Sequence, residues 1–183
     1  MNRFLKQLSA HKGFTLIELL IVIAILGVLA AALIATVDPF EQIKKGRDVR
    51  VKELASQYIE ANVRYYSGHN ALPWHSVANG GANCYTGGNS LSAVNLNSVA
   101  NCTTVLISDG ELKQSFTGST DLSSVTVTNP NPQTGNTSDL IVCFLPQSKS
   151  QQKEANTKFN QDGSNATNCK SQGGTANCYW CTQ

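Results

Sequence analysis

The chain has 183 residues, with 14 basic and 12 acidic side chains, six cysteines and 41% apolar residues. That length suits one domain of ordinary size with an appendage, and a formal charge of +2 excludes a strongly basic nucleic-acid binder or an acidic tail protein. Charged residues make up 14% of the chain, against about 25% in ordinary soluble domains. The deficit is uneven, because residues 14–37 are almost wholly apolar while 62 of the 117 residues from Ser67 onward are Ser, Thr, Asn, Gln or Gly.

The first element is a short leader, MNRFLKQLSAHKG, which carries Arg3, Lys6 and Lys12 and no acid. Residues 14–37 follow, 24 residues with the single charge Glu18. A helix of that length covers ~36 Å and crosses a hydrocarbon core of ~30 Å with some tilt. A secretory signal peptide cleaved near Ala30-Ala31-Ala32 is the alternative. The apolar run is longer than the ~7–15 residues of a signal h-region, and such a region has no use for a carboxylate four residues inside its start. Basic residues flank both ends of the segment, so charge alone does not orient it. All six cysteines lie beyond residue 80, and an even cysteine set in a small polar domain fits an oxidising compartment. The leader is therefore expected in the cytoplasm and the C-terminal part outside.

Glu18 is costly in lipid, at ~2.5–3.5 kcal/mol for an acid at a helix centre. It can snorkel to the headgroups or find a cation, and residues 14–37 offer none. Cleavage between Gly13 and Phe14 would create one, the α-amino group of Phe14. Phe14 and Glu18 stand at i, i+4 on one helix face. The run Lys12-Gly13-Phe14-Thr15-Leu16-Ile17-Glu18-Leu19-Leu20-Ile21-Val22-Ile23-Ala24-Ile25 resembles the N-terminal signature of type IV prepilins and the related type II secretion pseudopilins. The likeness is specific over residues 12–37; beyond about residue 66 it is one of layout. It implies cleavage after Gly13 by a membrane prepilin peptidase, N-methylation of Phe14, and pairing of Glu18 with the terminal amine of a neighbouring copy during assembly. It also implies self-association into a filament through inner-membrane assembly machinery. Such a chain starts as a single-pass protein of the cytoplasmic membrane and moves to the cell surface. A buried carboxylate and a buried ammonium each cost several kcal/mol alone and offset one another when paired, which biases the segment toward ordered stacking.

Residues 38–66 continue with apolar positions at Val51, Leu54, Ala55, Tyr58, Ile59 and Tyr65, the 3.6-residue period of an amphipathic helix. Acid-first pairs at i, i+4, namely Glu41/Lys45, Asp48/Lys52 and Glu60/Arg64, predict intrahelical ion pairs. Read through, residues 14–66 form a helix of ~80 Å that Pro39 kinks or opens. The stripe is too short for a coiled coil, so it is expected to pack on the C-terminal part.

Residues 67–183 are loop-rich, with Asn79-Gly80-Gly81 and Thr86-Gly87-Gly88 as turn signals. Residues 102–107 are either a short helix or a strand. Val125-Thr126-Val127 and residues 140–145 (LIVCFL) read as strands, and 177–182 as an edge strand. Three or four antiparallel strands laid on the helix give an α+β fold, a long N-terminal helix whose apolar first half spans the membrane and a small disulfide-bearing head. The expected organisation is a leader at 1–13, an apolar helix at 14–37, its amphipathic continuation at 38–66 and the head at 67–183.

Cys84, Cys102, Cys143, Cys169, Cys178 and Cys181 allow fifteen pairings, and disulfides are the leading reading. Proximity favours Cys84 with Cys102; the other four stay open. A structural zinc at Cys178-Tyr-Trp-Cys181 needs two further ligands, and a redox Cys-x-x-Cys needs a following helix. Neither a metal nor a cofactor is expected. His69 and His75, around Leu72-Pro73-Trp74, read as loop histidines, and no phosphate loop, HExxH or dinucleotide fingerprint occurs. Asp109, Asp121, Asp139 and Asp162 could donate to the calcium site known in pseudopilins, but their spacing is unlike an EF-hand. Asn101-Cys102-Thr103, Asn136-Thr137-Ser138 and Asn165-Ala166-Thr167 match the glycosylation triplet, as chance allows in so Asn-rich a chain. A structural subunit, not an enzyme, is the expectation; a minor pilin or pseudopilin, a monomeric membrane-anchored adhesin and a secreted enzyme remain as alternatives.

Overall fold

The computed structural model describes residues 13–36, 38–76, 84–130 and 139–182. The chain divides into two compact units, residues 1–39 and 40–183. The first holds helix α1 (Leu16–Thr36), which has no buried side chain. An apolar helix bare on every face needs a non-aqueous neighbour.

A second helix, α2 (Pro39–His69), begins where a kink or an opening of the helix is expected. Pro39 is its first residue, a place where the missing N–H costs nothing and the fixed φ suits a helix start. Proline here opens a new helix instead of bending an old one. Within the second unit, Val51, Ala55, Tyr58, Ala61, Asn62 and Tyr65 are buried along one stripe of α2. The stripe packs on Leu72, Trp74, Phe116, Val127, Phe144 and Trp180, with the Tyr58 and Phe116 rings stacked at 6.1 Å. Each fully buried large side chain contributes ~1.5–3 kcal/mol, so the core holds α2 far more firmly than helix propensity does.

Among the described residues, the rest of this unit holds a five-stranded antiparallel sheet and one further α-helix. In chain order these are β1 (Leu91–Asn95), α3 (Ala100–Ser108), β2 (Val125–Asn129), β3 (Ile141–Phe144), β4 (Thr157–Phe159) and β5 (Tyr179–Thr182). The spatial order is β1-β2-β3-β5-β4. The architecture is α+β and pilin-like: a long apolar N-terminal helix, a small antiparallel sheet and three disulfides. The 102–107 run resolves as helix, inside α3. The C-terminal strand corrects one expectation, since β5 lies between β3 and β4 and is no edge. The reason is Trp180, which is buried beside Phe144 at 5.4 Å and needs cover on both sides.

Cys143 and Cys181 are register partners on β3 and β5 and are bridged. Cys84–Cys102 ties the loop before β1 to α3, and Cys169–Cys178 closes the loop that leads into β5. That loop is tight: a Cβ at Gly174 would overlap the Asn168 carbonyl.

Polar contacts from α2 fix three loops of the same unit. Asp48, only 2% exposed, accepts from the Gln147 N–H at 3.0 Å and the Ser148 N–H at 2.7 Å. Arg47 donates to Asp121 at 3.0 Å and to Ser124 at 2.6 Å. Lys52 reaches Glu154 at 2.8 Å and lies over the Trp180 ring. These correct the expected ladder of intrahelical pairs. Glu60/Arg64 does stand as an i, i+4 pair at 3.9 Å, but Asp48 serves two backbone donors, and the Lys149 N–H donates to Glu41.

Candidate functional site

Thr15 stands just before α1 and Glu18 lies in its first turn. The Thr15 hydroxyl accepts from the Glu18 N–H at 3.3 Å. In return Glu18 Oε2 accepts from the Thr15 N–H at 2.9 Å and from its hydroxyl at 2.8 Å. This reciprocal Thr-x-x-Glu arrangement is a capping box, which satisfies donors that a helix start leaves open and contributes about 1 kcal/mol. Glu18 thus has a local role that its charge does not suggest. The T-x-x-E spacing ahead of an apolar run is the sequence signal for it. Thr15 supplies neutral donors only, so the carboxylate charge remains to be balanced.

Gly13 and Phe14 precede the helix in non-helical backbone. Phe14 is exposed, and a Cβ built on Gly13 meets nothing within 4 Å. Among the described residues nothing in the fold demands glycine there. A requirement for glycine at that position would have to come from something that grips the segment. The basic leader, residues 1–12, lies outside the described residues. By length and composition α1 can cross a membrane; its 21 residues span about 31 Å.

A model of the prokaryotic N-terminal methylation motif matches residues 8–34. The chain carries the type IV pilin and pseudopilin signature. The matched span includes Gly13, Phe14 and Glu18. The match ends inside α1 and leaves the head outside it. No curated relative and no solved structure matches the chain.

In the head the other candidate residues go to separate places. Cys178 and Cys181 belong to different bridges, which excludes a Cys-x-x-Cys redox pair. Among the described residues no cluster of His, Cys, Asp or Glu has metal-binding geometry. Asp121 is held by Arg47 and Arg50, while Asp162 accepts from the Ser164 N–H and hydroxyl, which keeps its carboxyl below the usual range. His69 is not a loop residue: it ends α2, stacks on Tyr65 at 4.0 Å and lies 3.3 Å from Asp109. His75 is buried in the turn after α2. Of the three glycosylation triplets, Asn101-Cys102-Thr103 has its cysteine bridged and its threonine buried, while Asn136 falls outside the described residues.

Proposed function

We propose that the protein is a structural subunit of a type IV pilus-like filament, cleaved between Gly13 and Phe14 by a prepilin peptidase and N-methylated at Phe14. The observation that carries this is the methylation motif over residues 8–34, joined to an apolar helix with no buried face and one acid in its first turn. Before assembly α1 anchors the chain in the cytoplasmic membrane with the leader inside and the head outside. In the filament the same helix is shared among copies, and each bare apolar face is covered by another.

The chemistry of assembly follows from charge. Thr15 orients the Glu18 carboxylate but brings no positive charge to it. Cleavage after Gly13 leaves an ammonium at Phe14, and the Glu18 of an adjoining copy is its counter-ion. In a low-dielectric bundle each charge alone costs several kcal/mol, so the pair selects the stagger in which both are satisfied. The head supplies surface and solubility, and its role is structural, not catalytic.

The test is electron microscopy of material sheared from cells that make the wild type or Glu18→Gln. Wild-type cells should yield thin filaments. Glu18→Gln keeps an acceptor for Thr15 and the shape of the side chain but removes the charge, and filaments should be lost while the precursor remains in the membrane. Full assembly of Glu18→Gln would contradict the pairing. A wild-type chain that is membrane-bound and never polymerises would point to an anchored monomeric adhesin, and loss of protein secretion without surface fibres to a pseudopilin.

A further inference from the structure

The stripe of α2 that packs on the head runs further than the head does. Steps of three and four residues carry it back from Val51 through Arg47 and Ile43 to Phe40, but along α2 the core begins at Val51. Phe40 is 73% exposed and Ile43 68% exposed. Three lysines surround this end. Lys44 is exposed and follows Phe40 by four residues, and Lys45 is half-buried and follows Glu41 by four. Lys149 is exposed and comes from the loop after β3; its own N–H donates to Glu41. Among the described residues none of these three ammonium groups stands within ion-pair distance of a carboxylate.

What meets this end is set by the chain just before it. α1 ends at Thr36 and α2 starts at Pro39, three peptide steps that reach at most ~11 Å. Where α1 fills a hydrocarbon core of ~30 Å, the headgroup layer extends ~5–8 Å further on each side. The first turns of α2 therefore begin in or beside that layer. Apolar side chains ringed by lysines suit such a place, since the apolar groups enter the acyl boundary and the lysine stems lie along them with their ammonium groups on phosphate. Asp38 and Glu41 share the stretch, which leaves three lysines against two acids, a positive balance toward lipid phosphate. A precursor meets lipid here before it meets another copy.

We propose that Phe40, Ile43, Lys44, Lys45 and Lys149 form a second membrane contact, with Phe40 and Ile43 at the acyl boundary and the lysines on phosphates of the bilayer that α1 crosses. The inference rests on the membrane-anchored precursor described above. It sets the height of the head over the membrane, and entry into a filament must release it.

The full-length chain in phosphatidylcholine vesicles, with or without phosphatidylglycerol, tests it. The six native cysteines are bridged, so Ala24→Cys, Ile43→Cys and Glu53→Cys each take one nitroxide label. Labels at 24 and 43 should be reached by oxygen and shielded several-fold from a water-soluble nickel chelate, with stronger shielding at 43 when phosphatidylglycerol is present; the label at 53 should stay open to the chelate. Equal chelate access at 43 and 53 overturns the proposal, and shielding at 43 that ignores phosphatidylglycerol overturns the lysine contact. Shielding that grows only with the protein-to-lipid ratio assigns the patch to a second copy and overturns the lipid. The wild-type chain gives a reading without substitutions. A membrane-impermeant acylating reagent should modify Lys44, Lys45 and Lys149 several-fold more slowly in phosphatidylglycerol vesicles than in phosphatidylcholine alone. Lys113, exposed beside Arg64 near the other end of α2, should react alike in both, and parallel behaviour of all four lysines overturns the contact. An open label at 24 removes the anchor and this contact with it, whereas a shielded 24 with 43 in water removes the contact alone.

Discussion

The sharpest structural prediction concerns Asp48. The sequence places it four residues before Lys52, where a surface pair contributes ~0.3–0.5 kcal/mol. In the structure its carboxylate is buried and accepts from the Gln147 and Ser148 N–H groups, pinning a loop about 100 residues away in sequence. Hydrogen bonds to a charged acceptor contribute ~1.5–3 kcal/mol each, and orphaned buried donors add their own cost. Asp48→Ala should therefore lower stability by ~3–5 kcal/mol. Asp48→Asn keeps one acceptor oxygen and should cost ~1–2 kcal/mol. Lys52→Ala loses a half-exposed ion pair with Glu154 and the stem over Trp180, or ~1 kcal/mol. At ~2–4 °C per kcal/mol for a unit of this size, Asp48→Ala should melt roughly 10 °C below wild type in detergent with its bridges intact, and Lys52→Ala only a few degrees below. Equal losses from the two variants would show that the intrahelical pair, not the loop clamp, is what Asp48 supplies.

Other outcomes follow from the same contacts. Removal of the Cys143–Cys181 bridge by a double alanine variant opens a loop closed across 38 residues and should cost ~4 kcal/mol by chain entropy, against ~3 kcal/mol for Cys169–Cys178, whose separation is 9; denaturant titration of the oxidised proteins measures both. Gly174→Ala forces a methyl group into the Asn168 carbonyl and should destabilise by ~2 kcal/mol or more, visible as a lower melting point with the Cys169–Cys178 bridge still formed. Tyr58 is buried, and burial pushes its phenol pKa up. The folded state therefore keeps a proton that the unfolded chain releases above about pH 10, so this contribution is intact below that pH and is lost as pH rises through the alkaline range. Tyr58→Phe should flatten the alkaline limb of a stability-versus-pH curve. Thr15→Val removes the capping box and should fray the first turn of α1 at a cost of about 1 kcal/mol; faster amide exchange at residues 16–19 in detergent is the readout.

What the sequence revealed and what it hid divide along the range of the forces involved. The apolar helix, the acid in its first turn and the amphipathic stripe of α2 are patterns of neighbours within a few residues, and composition makes them legible. Pro39 was also visible, yet its effect depends on whether the helix continues through it or starts at it. The T-x-x-E spacing at Thr15 and Glu18 is the mark of a capping box, while the charge of Glu18 points to distant partners. In the head the signals are weaker. β1 (LSAVN) and β4 (TKF) are short, and polar enough to pass for loop, so their pairing is decided by the sheet that receives them. β5 reads as an edge strand from its short run, whereas its place between β3 and β4 is set by a buried tryptophan and a bridge to β3. Asp48 shows the same limit most clearly, since an i, i+4 spacing is identical on paper whether or not a loop from far away takes the carboxylate. The bridge of Cys181 to Cys143 likewise follows from strand register, which the Cys178–Cys181 spacing does not encode.

The account turns on the bond between Gly13 and Phe14. Intact-mass and terminal-peptide analysis of the protein taken from its own cells should find a chain that begins at Phe14, carries one added methyl group on that nitrogen and has three disulfides. A chain that retains its first thirteen residues, or that begins beyond Ala32, would contradict it.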